Sequence, residues 1–240
     1  MTVVEKLGNN VAEVNSAFQN IKNKIASHGV EVGVELRPSE YAPKVDAVYE
    51  AGKQAQYDEF WDSYQQNGTR TDYNDGFRSV GWTKNTFKPK YDIRAKKANG
   101  LFSYSKIEQI DVVVDVSGAG SITSTFSNCP LLHTIKKFVI DETLTFSSVF
   151  YNCPALVNLT IEGTIGKNGF AAEQSTKLSK ASITSIINAL SATTSGLAVT
   201  LSNTAVNKAF ETSAGAGDGS TSAEWQSLIA PKSNWTISLI

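Results

Sequence analysis

A repeat of 24 residues in the second half of the chain constrains its fold more than any other feature of the sequence. Residues 126–132 (FSNCPLL) and 150–156 (FYNCPAL) share Phe, Asn, Cys, Pro and the final Leu. A weaker copy begins 24 residues earlier, at Phe102, and Phe170 continues the series approximately. A fixed period of about 20–29 residues with L-x-x-L spacing is typical of leucine-rich solenoids, whose coils must stack to bury their apolar residues.

Each copy predicts one short strand, near residues 111–115, 135–140 and 158–162, with a parallel ladder between the strands. Cys129 and Cys153 occupy equivalent positions of adjacent copies, so stacking brings them near disulfide range. We interpret them as buried, reduced thiols that act as small hydrophobic residues. The sequence leaves open whether the two are ever bonded.

The N-terminal 28 residues carry an unbroken series of apolar residues spaced alternately three and four apart. This heptad pattern predicts an amphipathic helix that supercoils with partner helices. Phe at a core position suits more than two strands, so we expect an oligomerisation element that forms a homotrimer. The alternative is a helix packed against its own chain. The heptad positions are Val4, Leu7, Val11, Val14, Phe18, Ile21 and Ile25.

Residues 29–100 predict a helical and aromatic-loop region. A short strand at 30–36 precedes a helix from Ser39 to about Gln66, whose aromatic stripe is Tyr57, Phe60, Trp61 and Tyr64. We expect this stripe to pack against the aromatic residues that follow it, and the alternative is a carbohydrate-stacking face. The basic residues Arg94, Lys96 and Lys97 predict a solvated linker. The later aromatic residues are Tyr73, Phe77, Trp82, Phe87 and Tyr91.

Residues 173–240 alternate helical and strand patterns, with helices near 181–191, 203–210 and 223–229 and strands near 196–201 and 235–239. We expect an α/β cap that continues the repeat sheet, since solenoids need their ends closed. The predicted fold class is therefore α+β: an N-terminal coiled-coil and helical region, a short leucine-rich-repeat β-solenoid and an α/β C-terminal cap. The predicted domains are 1–28, 29–100, 101–172 and 173–240.

Composition excludes several functions. The chain has 22 basic and 23 acidic residues, and neither half is a polycation, so we expect no nucleic-acid partner. No apolar run approaches the roughly 20 residues of a transmembrane helix, and the N-terminus does not match a secretory signal. The two histidines, His28 and His133, lie far apart in the sequence. We found no catalytic, metal-binding or cofactor-binding motif, so the chain is predicted not to be an enzyme and to need no cofactor.

The pattern F-x-x-C-x-x-L-x-x-I at residues 126–135 resembles the BspA-type leucine-rich repeats of bacterial surface and phage proteins. The resemblance covers roughly residues 101–172. Members of that family often carry many copies, whereas only two are clear in this chain. The resemblance therefore implies a short repeat domain that needs caps, rather than a long adhesive stalk.

The order of the N-terminal segments resembles tail-associated structural proteins of phages that infect Gram-positive gut bacteria. The segments that carry this resemblance are residues 24–32 (KIASHGVEV), 39–48 (SEYAPKVDAV), 49–62 and 81–92. It implies a non-enzymatic virion component of the tail-fibre or baseplate type, assembled in the bacterial cytoplasm. Its N-terminus would then be the assembly end and its repeat domain the exposed, receptor-binding end.

The partners expected from this resemblance are further copies of the chain, other virion tail proteins and a host cell-surface protein or glycan, without membrane insertion. The sequence identifies no ligand-binding residue. One alternative is a bacterial leucine-rich-repeat surface adhesin or protein-interaction module, although a signal peptide and a wall anchor are missing from the sequence. A third option is an enzyme that acts on glycans through its aromatic segment.

Overall fold

The computed structural model describes residues 58–79, 87 and 89–240, together with five single residues between 16 and 27. The chain divides into two compact units, Met1–Phe60 and Trp61–Ile240. In the first unit the described residues are helical, and the single ones are exposed: Ser16, Asn20, Asn23, Ala26 and Ser27. The seven heptad positions predicted for oligomerisation lie outside the described residues. The sections below concern the second unit.

The second unit is built from short strands and helices whose bounds are as follows. The strands are β1 (Ile93–Arg94), β2 (Gln109–Asp115), β3 (Ser121–Thr123), β4 (Thr134–Val139), β5 (Thr145–Ser147), β6 (Asn158–Glu162), β7 (Ala171–Ala172), β8 (Leu197–Leu201) and β9 (Trp235–Leu239). The helices are α1 (Lys180–Ala189), α2 (Asn203–Ala209) and α3 (Ala223–Ile229), and residues 61–64 are also helical. Short 3-10 turns lie at Gln66–Gly68, Gly219–Thr221 and Ala230–Lys232.

The fold class is α/β, so the prediction of an α+β fold with a coiled coil, a leucine-rich-repeat solenoid and a cap continuing its sheet is wrong. The strands form three separate sheets in the orders β1-β2-β4-β6, β3-β5 and β7-β8-β9, and every pair is parallel. Helices connect the parallel strands β7, β8 and β9, as the crossover between parallel strands requires. Over the described ranges the longest helix has 10 residues, so no long coiled-coil helix is present there.

The register of the first sheet follows the 24-residue period of the sequence. Thr134 pairs with Asn158 and Ile135 pairs with Leu159, each 24 positions later. The predicted strand positions and their parallel ladder are thereby confirmed for β2, β4 and β6. The basic residues Arg94, Lys96 and Lys97 are exposed to solvent as predicted, but the prediction of a linker is wrong, because Arg94 pairs with Asp115 in β1.

A column of buried phenylalanine rings runs through the repeat. The rings of Phe77, Phe102, Phe126 and Phe150 stack with centroids 5.2, 5.4 and 5.4 Å apart. The rings of Phe102, Phe126 and Phe150 are nearly parallel, with interplanar angles of 8° and 7°. Phe170 continues the column, with its ring centroid 5.5 Å from that of Phe150. The column also includes Phe77, which was not part of the 24-residue series identified in the sequence. We call the stacked segments that carry these four stacked rings the repeat units.

An aromatic cluster closes the N-terminal end of this column. Trp61 is fully buried and packs edge-on against Tyr64 and Phe87, with ring centroids 6.0 and 5.5 Å away. Tyr64 also lies 6.3 Å from Tyr73 and 5.1 Å from Phe77. For these residues the predicted packing of the stripe against later aromatic residues is confirmed. Tyr57 and Trp82 lie outside the described residues.

Helix α1 closes the other edge of the first sheet. The Ser182 hydroxyl accepts a hydrogen bond from the backbone N–H of Leu159, and the Ser185 hydroxyl accepts one from Ile161, both at 2.8 Å. The helix therefore occupies the place of a further strand and satisfies the donors of β6, which ends the sheet there. This is why the C-terminal strands form a separate sheet. Among the described residues, no helix is long and apolar enough to cross a lipid bilayer.

We predict that Phe126→Ala destabilises the protein by about 3–5 kcal/mol, because it removes a fully buried ring from the middle of the column and leaves a cavity. Urea-induced unfolding followed by circular dichroism measures this change. Leu131→Ala is the matched control, since that side chain is 47% exposed, and we expect a loss below about 1 kcal/mol. Equal losses for the two variants would contradict the role given to the column.

Candidate ligand-binding groove

Left-handed backbone turns flank the phenylalanine of each repeat unit. Before the ring, Gly100, Ser124 and Ser148 have φ values of 64°, 52° and 51°. After the ring lies a second column of such residues: Ser79, Tyr104, Asn128 and Asn152, with φ between 54° and 59°. These turns stack on one another through backbone hydrogen bonds from each unit to the next. We call the surface formed by residues 74–79, 99–105, 123–129 and 147–153 the turn edge.

A groove of about 280 Å³ lies on the turn edge and spans three repeat units. We call it the turn-edge groove. The repeat unit of Phe77 contributes Asp75 and Arg78, and the next two repeat units contribute mainly hydroxyl and amide groups. The full lining is Asp75, Arg78, Asn99, Gly100, Ser103, Tyr104, Thr123, Ser124 and Ser127. Polar side chains from three stacked units therefore converge on one concave surface.

Asparagine side chains tie the walls of the groove together. The Asn74 side-chain oxygen accepts a hydrogen bond from the Asn99 backbone N–H at 2.9 Å. The Asn99 side-chain oxygen in turn accepts one from the Thr123 N–H at 2.8 Å. Gly100 lies beside them with a φ of 64°, and a Cβ at this position would require the Asp75 carboxylate to shift. The groove is thus formed before any ligand arrives.

Several polar groups of the groove remain available to a ligand. In the described part of the chain, the hydroxyl groups of Thr123 and Ser124 have no hydrogen-bond partner. Arg78 and Asp75 form an ion pair at 3.1 Å, yet both side chains are at least half exposed. The pair leaves no net charge on the groove, while its remaining donors and acceptors still face solvent. This surface suits a neutral, hydroxyl-bearing ligand better than a strongly charged one.

Tyr104 is the unusual residue of the groove. Its side chain is 55% exposed and its φ is 59°, although a bulky residue in this conformation is an outlier that costs about 1–3 kcal/mol. The next two units place Asn128 and Asn152 at the equivalent position, and Asn tolerates the left-handed region. The Arg78 guanidinium carbon lies 5.4 Å from the centroid of the Tyr104 ring. Sequence analysis missed this residue, but its departure from the Asn of the repeat was the available signal.

The two thiols lie in the core and not in the groove. Cys129 and Cys153 are free and buried, and their Sγ atoms donate to the carbonyl oxygens of Phe102 and Phe126 at 3.0 and 2.9 Å. Burial raises the pKa of the Cys129 thiol. Burial, with a smaller effect of neighbouring Cys129, raises the pKa of Cys153 to about 12. The interpretation of these residues as buried free thiols is confirmed, and their raised pKa values disfavour the thiolate form that a nucleophilic cysteine needs.

His133 lies at the start of β4, where its Nδ1 is 2.9 Å from the Thr134 hydroxyl. Across residues 58–79, 87 and 89–240, no group of three or more His, Cys, Asp or Glu side chains is placed to hold a metal ion. The lining of the turn-edge groove includes no His, Cys or Lys. The groove therefore offers a carboxylate, a guanidinium, amide groups and hydroxyl groups to a ligand.

A second and larger cleft, of about 520 Å³, lies between the start of α1 and the end of α2. Its rim carries Lys177, Lys180 and Lys208. Lys180 is already engaged, since its Nζ is 2.7 Å from Glu224 and 5.2 Å from the centroid of the Phe210 ring. Much of the remaining lining is apolar, so fewer directional groups converge here than in the turn-edge groove.

Comparisons of the chain with protein-family models, curated proteins and solved structures give no match. The candidate site therefore stands on its geometry alone.

We predict that Cys153 makes the protein lose stability as the pH rises. Its folded pKa is raised to about 12 from an ordinary 9.0, so the unfolded chain releases this proton first. The stabilisation is complete below pH 9 and is lost between pH 9 and 12. Between pH 8 and 10 the wild type should lose about 1 kcal/mol more than Cys153→Ala. Urea unfolding at both pH values in reducing buffer measures the difference, and parallel pH profiles would contradict the prediction.

Proposed function

We propose that this chain is a non-enzymatic virion component of a phage tail, of the tail-fibre or baseplate type, which binds a molecule on the host cell surface. The observation that carries the binding role is the turn-edge groove, where polar side chains of three repeat units converge beside the exposed ring of Tyr104. A concave site with few, fixed polar groups is the usual form of a ligand site.

The rigidity of the groove supports binding. Its walls are fixed by the Asn74–Asn99–Thr123 hydrogen bonds and by the stacked turns beneath them. Ligand binding therefore costs little conformational entropy of the protein, and more of the contact energy contributes to affinity. The turn edge also suits a receptor-binding role, because its residues differ between repeat units while the stacked phenylalanine rings recur.

The placement in a virion is supported by the resemblance of residues 24–32, 39–48, 49–62 and 81–92 to phage tail-associated proteins. Self-association of the N-terminal segment, through Val4, Leu7, Val11, Val14, Phe18, Ile21 and Ile25, belongs to the same proposal. Three grooves on one trimer would convert weak single contacts into firm attachment, since linked sites can gain about 10²–10⁴ in avidity.

We predict that the full chain is a trimer or higher oligomer and that deletion of residues 1–28 makes it a monomer. The apolar residues at heptad spacing provide the contact, and Trp61–Ile240 is a separate compact unit that should stay folded. Size-exclusion chromatography with multi-angle light scattering gives the two masses, and circular dichroism checks folding. A monomeric mass before and after the deletion would refute the self-association proposed for this segment.

We predict that the fluorescently labelled protein binds cells of a panel of Gram-positive gut bacteria selectively, and that Thr123→Arg reduces binding at least tenfold. The new side chain fills the groove, and the exposed Thr123 hydroxyl it replaces makes no hydrogen bond within the described residues. Flow cytometry measures binding. The control is Thr160→Arg on β6, which introduces the same charge on the exposed face of another sheet.

If Thr160→Arg abolished cell binding and Thr123→Arg did not, the binding surface would be the exposed face of the sheet that contains β6 and not the groove. Absence of binding to any cell type would refute the proposed function. Detection of the chain in purified virions rather than in cell-wall fractions separates the tail protein from the alternative surface adhesin.

A further inference from the structure

We propose that the ligand of the turn-edge groove is a carbohydrate, with one sugar ring stacked against Tyr104 and its hydroxyl groups bound by side chains of three repeat units. This inference rests on the proposed function in one respect, namely that the groove is the binding surface. It adds the chemical class of the ligand and the residue that recognises it.

Tyr104 carries the argument because its ring contact in the described part of the chain is with the Arg78 guanidinium, a side chain that is itself half exposed. In the part of the chain that the structure describes, no other aromatic ring stacks on it, and over half of its surface is exposed. The two following units use Asn at the same left-handed position without loss of the stack. A bulky side chain kept in a strained conformation at the wall of a groove points to a role in binding rather than in folding.

The groups around Tyr104 match the chemistry of a sugar. One face of a pyranose ring is formed by C–H groups, which pack on an aromatic ring, while its hydroxyl groups both donate and accept hydrogen bonds. The groove offers acceptors on Asp75, donors on Arg78 and the hydroxyl groups of Thr123 and Ser124, which do both. Because Asp75 and Arg78 neutralise each other, a neutral sugar fits this surface.

The surface fits a protein partner less well. A stable protein interface buries about 800 Å² on each side around an apolar centre. Among the described residues of the second unit, only four large hydrophobic side chains are exposed: Tyr104, Leu131, Tyr151 and Ile240. A narrow polar groove with one exposed ring is matched instead by a ligand one or two rings wide.

The test uses the full chain and isothermal titration with neutral saccharides of one to four units, built from glucose, galactose, rhamnose or N-acetylglucosamine, and with polysaccharide extracted from cells that the protein binds. We expect binding to at least one of these probes. Tyr104→Asn should weaken it at least tenfold, while its thermal midpoint rises by about 2–4 °C because Asn relieves the left-handed strain. Tyr104→Phe keeps the ring and should bind within about threefold of the wild type.

The matched control is Tyr151→Ser, which removes the exposed ring of a neighbouring unit outside the groove and restores the Ser found at the equivalent position 127. We expect its affinity to stay within about twofold. Thr123→Arg blocks the groove without altering Tyr104, so it provides a second loss-of-binding variant if Tyr104→Asn does not fold.

Two results would overturn the inference while leaving the proposed function intact. The first is cell binding that survives periodate oxidation of the cell-surface glycans but is lost after protease treatment, which identifies a protein receptor. The second is saccharide binding that neither Tyr104→Asn nor Thr123→Arg weakens. Failure of the proposed function itself is a different result, since the wild-type protein would then bind no cells.

Discussion

The stacking of phenylalanine rings at the period of the repeat is the interaction on which the rest of the structure depends. Phe102, Phe126 and Phe150 stack 5.4 Å apart, which is close to the spacing of neighbouring strands in a sheet. The rings and the parallel strands therefore share one register. An inserted or deleted residue between two rings must lie in a loop, where it does not shift the pairing of the strands. This constraint places the turns of successive units directly above one another.

The turn edge is a consequence of this register. Each ring points into the core between two left-handed turns, so the side chains of the turns are directed to the surface at fixed intervals. The core residues are held by packing, whereas the surface positions are restricted mainly by backbone conformation. Asn, Gly and Ser satisfy that restriction, and Tyr104 violates it. A departure from the local rule by a side chain that is more than half exposed is the strongest functional signal in this part of the molecule.

The two ends of the phenylalanine column are closed by different means. Trp61 and its aromatic neighbours cover one end with buried rings. At the other, hydroxyl groups of α1 satisfy the edge donors of β6 and separate the first sheet from the C-terminal one. The α1 contacts also protect the β6 edge from pairing with other chains, which an open parallel edge would invite.

The sequence by itself determined the parts of the structure that repeat locally: the strand positions of β2, β4 and β6, the buried thiols and the helix and strand order after residue 172. A period read from five identities is enough for the strands and the thiols, since identical units stack in identical register, and local apolar spacing is enough for the helix and strand order. Only the tertiary structure decided the α/β class, the separation of the sheets and the turn-edge groove. Each of these depends on contacts between distant residues, such as Ser182 with Leu159 or Tyr104 beside Asp75 and Thr123, which no local pattern encodes.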